Sequence, residues 1–202
     1  MPTGVHIRDV RTQLFDAAER VLLRAGPHGL TSRAVTTEAG CAKGVLHRHF
    51  PDFDGFLAEL VRDRIGRLDD QAAALRASAG TGTVADTLAE ALTTLFGSVA
   101  VAIVALITSR DELRARLRDG RPAGGVPLLA EATAMIAGYL AAERDLGRIP
   151  GDADVTTLAP TLIGAGHLLF ADRTAPAPDA DAVRRIVTTV LADTGGRQSP
   201  SA

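Results

Sequence analysis

The chain has 202 residues, 22 basic and 24 acidic, and a net charge of −2 with histidines neutral. That balance excludes a uniformly basic nucleic-acid coat and a polybasic membrane anchor. Hydrophobic residues make up 46% and aromatics only 3%, so a core can be buried, but aliphatic side chains and alanine must fill it, and alanine favours helix.

Helical periodicity recurs along the whole chain and sustained period-two alternation does not, so the fold reads as all-α with about nine helices. The first spans residues 8–25, with Leu14, Ala17, Ala18, Val21, Leu22 and Ala25 on one face and Gly26-Pro27 as its stop. A short helix over about 32–38 follows Thr31, a suitable N-cap, and Gly40 permits a tight turn into a second short helix over 43–49. A long helix is capped by Asp52 and runs to about Ala79, burying Phe56, Leu57, Leu60, Val61, Leu68 and Leu75. Gly80-Thr81-Gly82 breaks it, and one helix is expected over 84–108, capped by Thr83 with Asp86 as the capping-box acid. A charged helix over 111–119 precedes a loop, Gly120 to Gly125. Helices over 127–146 and 153–171 are divided by Gly147 and Pro150-Gly151, and a Pro/Ala linker, Thr174 to Pro178, leads to a last helix over 180–193.

Charge is unevenly placed. Residues 1–50 hold seven basic groups and four acids, a net of +3, and residues 51–202 hold 15 and 20, a net of −5. All basic residues but one are arginine, and the exception, Lys43, lies in the basic part. A basic head on an acidic body points to an anionic partner at the N-terminal end.

Residues 31–50, TSRAVTTEAGCAKGVLHRHF, meet the needs of a helix-turn-helix. Val35 and Ala39 supply the inner face of its first helix, Gly40 the turn, and Val45 or Leu46 with Phe50 the anchor of the second. The solvent side of the second helix then displays Lys43, Gly44, His47 and Arg48, and its N-terminal end favours phosphate. Lys43 suits a guanine edge or a phosphate, and His47 a phosphate or a base. His49, beside Phe50, suits a role within the head. His47 and His49 diverge by about 200° on a helix, which argues against a metal pair.

The stretch TSRAVTTEAG-CAKGVLHRHF-PDFDGFLAEL resembles the DNA-binding head of the TetR/AcrR family of bacterial transcriptional regulators. Thr31, Arg33, Ala39, Gly40, Gly44, Leu46, His49, Phe50 and Leu57 match the pattern, and LGRIPGDADVTTLAPTLIGAGHLLF resembles the family's penultimate helix and its approach. The position of the tyrosine that usually touches a phosphate is His47, that of the lysine near the start of helix four is Phe53, and that of the usual capping serine is Ala42. Arg48, Arg33, Arg8 and Arg11 are the cations left to compensate.

The resemblance implies a three-helix head in residues 1–50, with the helix-turn-helix at 31–50, and a ligand-binding and dimerisation body in 51–195. Within the body 51–79 is the connecting helix, and 196–202 is a flexible tail. DNA-facing positions are then Thr31, Arg33, Lys43, Gly44, Val45, His47 and Arg48. In the body, Phe96, Ile103, Met135, Tyr139, His167 and Phe170, with Thr93, Val99 and Ile163, are candidates to line a largely apolar small-molecule pocket, Tyr139 and His167 being its polar handles. The resemblance further implies a homodimer through 153–171 and 180–193.

Catalysis is not expected: no Gly-x-Ser-x-Gly elbow, phosphate loop, dinucleotide fingerprint or His-Glu-x-x-His is present, and no metal or other cofactor is implied. Cys41, the single cysteine, excludes an internal disulfide and reads either as a small turn residue or as a thiol at a helix start. The opening MPTGVHIRDVR is not of signal-peptide kind, and the longest apolar stretch, Val99 to Ile107, is nine residues against about 20 for a membrane span. A soluble, cytoplasmic protein without a membrane partner is expected. The leading reading is a repressor released from a palindromic operator by a small molecule. The alternatives are a DNA-binding dimer without a ligand, and a small helical enzyme or binding module.

Overall fold

Glycine, proline and short polar caps cut the chain into helices, and the computed structural model describes residues 7–118, 125–172 and 176–192, with side chains from Val10 onward. Ten helices and no strand occur among the described residues. They are α1 (Ile7–Gly29), α2 (Ser32–Glu38), α3 (Gly44–His49), α4 (Phe53–Ala77), α5 (Val84–Phe96), α6 (Ala100–Ser109), α7 (Asp111–Arg118), α8 (Leu129–Asp145), α9 (Val155–Leu169) and α10 (Ala180–Ala192). Most of the loop expected over 120–125, part of the 174–178 linker and the tail lie outside the described residues.

Two helix boundaries correct the sequence reading. The stop expected at Gly26-Pro27 is a kink: Gly26 takes φ 68° and ψ −175°, and Pro27 opens a further turn that runs to Gly29. Glycine tolerates that left-handed φ, and proline suits a first helical turn. The single helix expected over 84–108 is two, α5 and α6, which raises the count from nine to ten. Here the serine hydroxyl competes with the backbone: Ser98 Oγ donates to the Leu95 carbonyl at 2.5 Å and accepts from Ala100 N–H at 3.3 Å.

The described residues form two compact units. One comprises those within Met1–Arg64 and Ala102–Pro127, the other those within Ile65–Val101 and Leu128–Ala202, and both α4 and α6 run from one into the other. The first unit buries Leu14, Phe15, Ala18, Val21 and Leu22 of α1 with Val35, Leu46, Phe56, Leu57 and Leu60, and also Ile103, Leu106, Leu113 and Leu117. Ala25, expected on the buried stripe, is exposed just ahead of the Gly26 kink.

In the second unit α9 packs on α5, α8 and α10. Its core holds Leu88, Leu92, Phe96, Ile136, Tyr139, Leu140, Leu162, Ile163, Val183 and Val187. Leu75, near the end of α4, is only half-buried. The turn after α4 is held by a buried carboxylate. Glu143 Oε1 accepts from Gly80 N–H at 3.2 Å, and its Oε2 lies 2.7 Å from Arg148 Nε. Arg148 donates onward to the Gly80 carbonyl at 2.8 Å and the Gly82 carbonyl at 2.5 Å. The Asp154 side chain caps α9, accepting from the backbone N–H groups of Thr156 and Thr157 at 3.1 and 3.2 Å.

Candidate nucleic-acid interface

The two short helices of the head are set by local chemistry. Thr31 is extended, and its hydroxyl accepts from Ala34 N–H at 3.1 Å, which starts α2. Val35 and Ala39 face inward, Gly40 turns the chain with φ 65°, and Gln13 Nε2 donates to the Ala39 carbonyl at 2.8 Å, tying the turn to α1. Lys43, rather than Ala42 at the position of the usual capping serine, stands at the N-cap of α3, and its side chain makes no cap bond. Of the two anchors left open by the sequence, Leu46 is fully buried and Val45 is half-exposed.

The end of α3 is fixed by a cluster the periodicity did not reveal. Phe15, Phe50 and Phe56 lie with ring centroids 5.0–5.9 Å apart, and Phe53 stacks on Phe56 at 5.8 Å. Four of the chain's six phenylalanines meet here, drawn from α1, the residue after α3 and the first turn of α4. Such ring pairs add about 0.5–1.5 kcal/mol each beyond their burial.

The cations of the head divide into two sets. Arg20 and Arg24 of α1 both grip Glu38 of α2, at 2.8 and 2.9 Å, and together hold its carboxyl below the usual range, Arg20 most strongly. Arg11 pairs with Glu59 at 3.1 Å and lies 4.6 Å over the Phe50 ring, so it serves packing within the unit. Arg33, Lys43 and Arg48 are exposed, and no ion pair among the described residues involves them. His47, Gly44 and Thr31 are exposed too, whereas His49 is half-buried. The Arg8 side chain lies outside the described residues. The cations of the described head that enter no ion pair therefore sit on α2 and at both ends of α3, while Arg11, Arg20 and Arg24 are engaged by Glu59 and Glu38.

Phe53, at the position where the resemblance places a lysine, is packed. Arg110 lies 5.5 Å over its ring and donates to Asp54 Oδ1 at 2.8 Å. Beside it, Asp52 Oδ1 accepts from Gly55 N–H at 2.7 Å, and both Asp52 oxygens receive the Arg116 fork at 3.0 Å. The Gly55 amide and then Arg116 hold the Asp52 carboxyl below its ordinary value. These partners lie more than fifty positions apart, beyond the reach of any local motif.

The candidate ligand residues are not all brought together. Phe96, Met135, Tyr139, His167 and Phe170 belong to the second unit, and Ile103 to the first. Phe96 lies 5.8 Å from His167 and 6.2 Å from Phe170, ring centre to ring centre. Tyr139 is fully buried on α8, with its hydroxyl toward Thr87 and Glu143, and burial pushes the phenol up to about 12. His167 Nδ1 is buried with no hydrogen-bond partner among the described residues, and burial lowers the imidazole pKa. Thr93 is exposed and lines a separate open cleft of about 420 Å³ between α5 and α10, with Asp86, Glu90, Asp181 and Arg184.

Residues 14–60 match the family described as bacterial regulatory proteins, tetR family. The fold is similar to that of the fatty acid degradation regulator FadR from Bacillus halodurans, with TM-score 0.69 and 18% identity over 98% of this chain and 99% of that one. It is similar also to the transcriptional regulator FadR from Bacillus subtilis in complex with stearoyl-CoA, with TM-score 0.63 and 19% identity over 89% and 97%. A member of the TetR family from Streptomyces coelicolor A3 gives TM-score 0.61 and 23% identity over 90% and 97%. No curated protein sequence matches the chain.

Proposed function

We propose that this chain, whose residues 14–60 match the tetR family of bacterial regulatory proteins, is a ligand-responsive transcriptional repressor that binds a palindromic operator as a homodimer. The observation that carries the reading is the placement of free charge. Arg33, Lys43 and Arg48 are exposed on the helix-turn-helix and enter no ion pair among the described residues, while Arg11, Arg20 and Arg24 of α1 are paired with Glu59 and Glu38. In this reading α3 enters the major groove. Lys43, Gly44 and Val45 lie at its leading end, His47 and Arg48 at its far end, and Thr31 and Arg33 at the start of α2. Phosphate contacts give affinity and base edges give choice. Two heads then sit on half-sites about 34–36 Å apart.

A second subunit is supported by α9. Thr157, Thr161, Gly164 and Leu168 form one stripe at helical spacing, all exposed, with Leu168 at 74% of its free surface. With α10 it makes the dimer face of this proposal. The ligand is largely apolar and is met by Phe96, Met135, Tyr139, His167 and Phe170. The unpartnered buried Nδ1 of His167 supports a ligand that offers it a hydrogen bond. The complex of the Bacillus subtilis relative makes long-chain acyl-CoA thioesters the first compounds to try. Ligand binding to the body, passed along α4 to the head, needs a coupling of about 1–3 kcal/mol, or 5–150-fold in DNA affinity.

A second reading, a DNA-binding dimer whose body takes no ligand, is favoured by one contact. A Cβ placed on Gly166 would meet the Phe96 ring at 2.8 Å, so the space beside this candidate residue is already filled. Mobility shifts with the promoter fragments flanking the gene test the DNA reading, and a shift by dimer at nanomolar protein is expected. Absence of any shift would sink it. Thermal shift with acyl-CoA thioesters and a lipophilic library separates the two readings. A compound that raises Tm and releases the operator establishes the first, and release by none supports the second.

A further inference from the structure

We propose that Arg116, with Arg110 beside it, masks two carboxylates at the start of α4 that would otherwise repel the DNA backbone, and so sets operator affinity without touching DNA. The proposal rests on the reading of α3 as the recognition helix. Helix α3 ends at His49, and Asp52 follows three residues later, a distance of at most about 10 Å along the chain. Asp52 caps α4 through the Gly55 amide and Asp54 lies in its first turn, where negative charge favours the helix dipole. Local folding thus puts two acids close behind the end of the recognition helix that carries His47 and Arg48. For a helix approaching a phosphate backbone they have the wrong sign, and the separation of Asp52 from the helix end is comparable to the roughly 8–10 Å over which exposed charges act at moderate salt.

The fold answers from a distant part of the sequence. The Arg116 fork meets both Asp52 oxygens at 3.0 Å, and Arg110 meets Asp54 at 2.8 Å while covering Phe53. Arg116 is itself kept in place, with Nε 3.3 Å from Glu112 Oε1 and its carbonyl accepting from Arg62 at 3.0 Å. Neither Asp52 nor Arg116 is deeply buried, their side chains being 49% and 33% exposed, so the pair is a weak stability element but an open electrostatic one. Arg116 is in this sense a positioning residue for charge: its effect on DNA passes through Asp52.

Masking and plain bracing predict different results, and a charge ladder separates them. Asparagine caps a helix as well as aspartate does, so Asp52→Asn removes the charge and keeps the cap. Relative to the wild-type pair, Arg116→Ala leaves one extra negative charge, Asp52→Asn one extra positive charge, and the double variant neither. One charge about 10 Å from a phosphate in water changes affinity about twofold per phosphate, hence about threefold per head for one to two phosphates in range and about tenfold for the two heads of a dimer. Fluorescence anisotropy on an operator fragment that the wild type shifts should therefore show Arg116→Ala about tenfold weaker and Asp52→Asn tighter. The double variant should return to within about twofold of wild type, and the spread should narrow from 50 to about 200 mM salt. Circular dichroism melts check that each variant folds. If Asp52→Asn weakens binding as Arg116→Ala does, or the double variant stays as weak as Arg116→Ala, the pair is only a brace and the proposal is overturned. If the wild type shifts no fragment, or Lys43→Ala and Arg48→Ala bind as it does, the recognition reading itself fails and takes this one with it.

Discussion

Lys43 and Leu46 stand three positions apart and have opposite duties. Leu46 is fully buried beneath α3, where it helps hold the short helix against the rest of the head, while Lys43 is exposed at the helix's leading end. Leu46→Ala removes buried methyl groups from a site without slack and should cost about 2–5 kcal/mol in urea unfolding. Lys43→Ala should leave the unfolding curve where it is and weaken operator binding. A Lys43→Ala variant that unfolds early, or a Leu46→Ala variant as stable as wild type, would reverse these assignments. Phe53 makes a related point about single positions. A lysine there would offer a phosphate contact; the phenylalanine instead stacks on Phe56 and seats Arg110. Phe53, half-buried, thus serves packing at the start of α4.

At the scale of elements, caps decide where helices begin. Asp154 holds the start of α9 with both carboxylate oxygens, Thr156 and Thr157 donating through backbone and hydroxyl groups. The Thr156 and Thr157 hydroxyl bonds are the largest causes of a pKa depressed from 3.8 to about 2. The folded value lies below the unfolded one, so this contribution to stability is complete above about pH 4 and is lost as pH falls through about 2. Thermal unfolding followed from pH 5 down to pH 2 should show wild type losing more stability than Asp154→Asn, which keeps a capping side chain and has no proton to take up. Equal slopes for the two proteins would contradict this role. The same caps made the elements legible beforehand. Thr31, Asp52, Thr83 with Asp86, and the Gly40 turn are local signals, and each acts where the sequence places it. The break between α5 and α6 was not legible, because Val99–Ile107 reads as a continuous apolar helix and the decisive group is one serine hydroxyl turning back on Leu95. The joining of Phe15 to Phe50 and Phe56, the Arg116 fork on Asp52 and the Arg110 contact with Asp54 were not legible either, since these partners are far apart in the chain and meet only through tertiary packing.

For the whole molecule, charge is the organising quantity. A net of −2 hides a head of +3 and a remainder of −5, and the head's own charge is divided again by the fold. Arg20 and Arg24 of α1 share Glu38, Arg11 pairs with Glu59, Arg110 with Asp54 and Arg116 with Asp52. What is left unpaired in the described head is Arg33, Lys43 and Arg48. Helix α4 runs from the unit that carries them into the unit that carries all the candidate ligand residues but Ile103, and in the proposed function it is the lever between ligand and DNA. The measurement that tests the central claim most directly is the salt dependence of operator binding, compared between wild type and Lys43→Ala. If those three cations in each of two heads neutralise phosphates, log affinity falls against log salt with a slope of about −5, and Lys43→Ala makes it shallower by about 2. A flat titration, or a slope that Lys43→Ala leaves unchanged, would contradict the account.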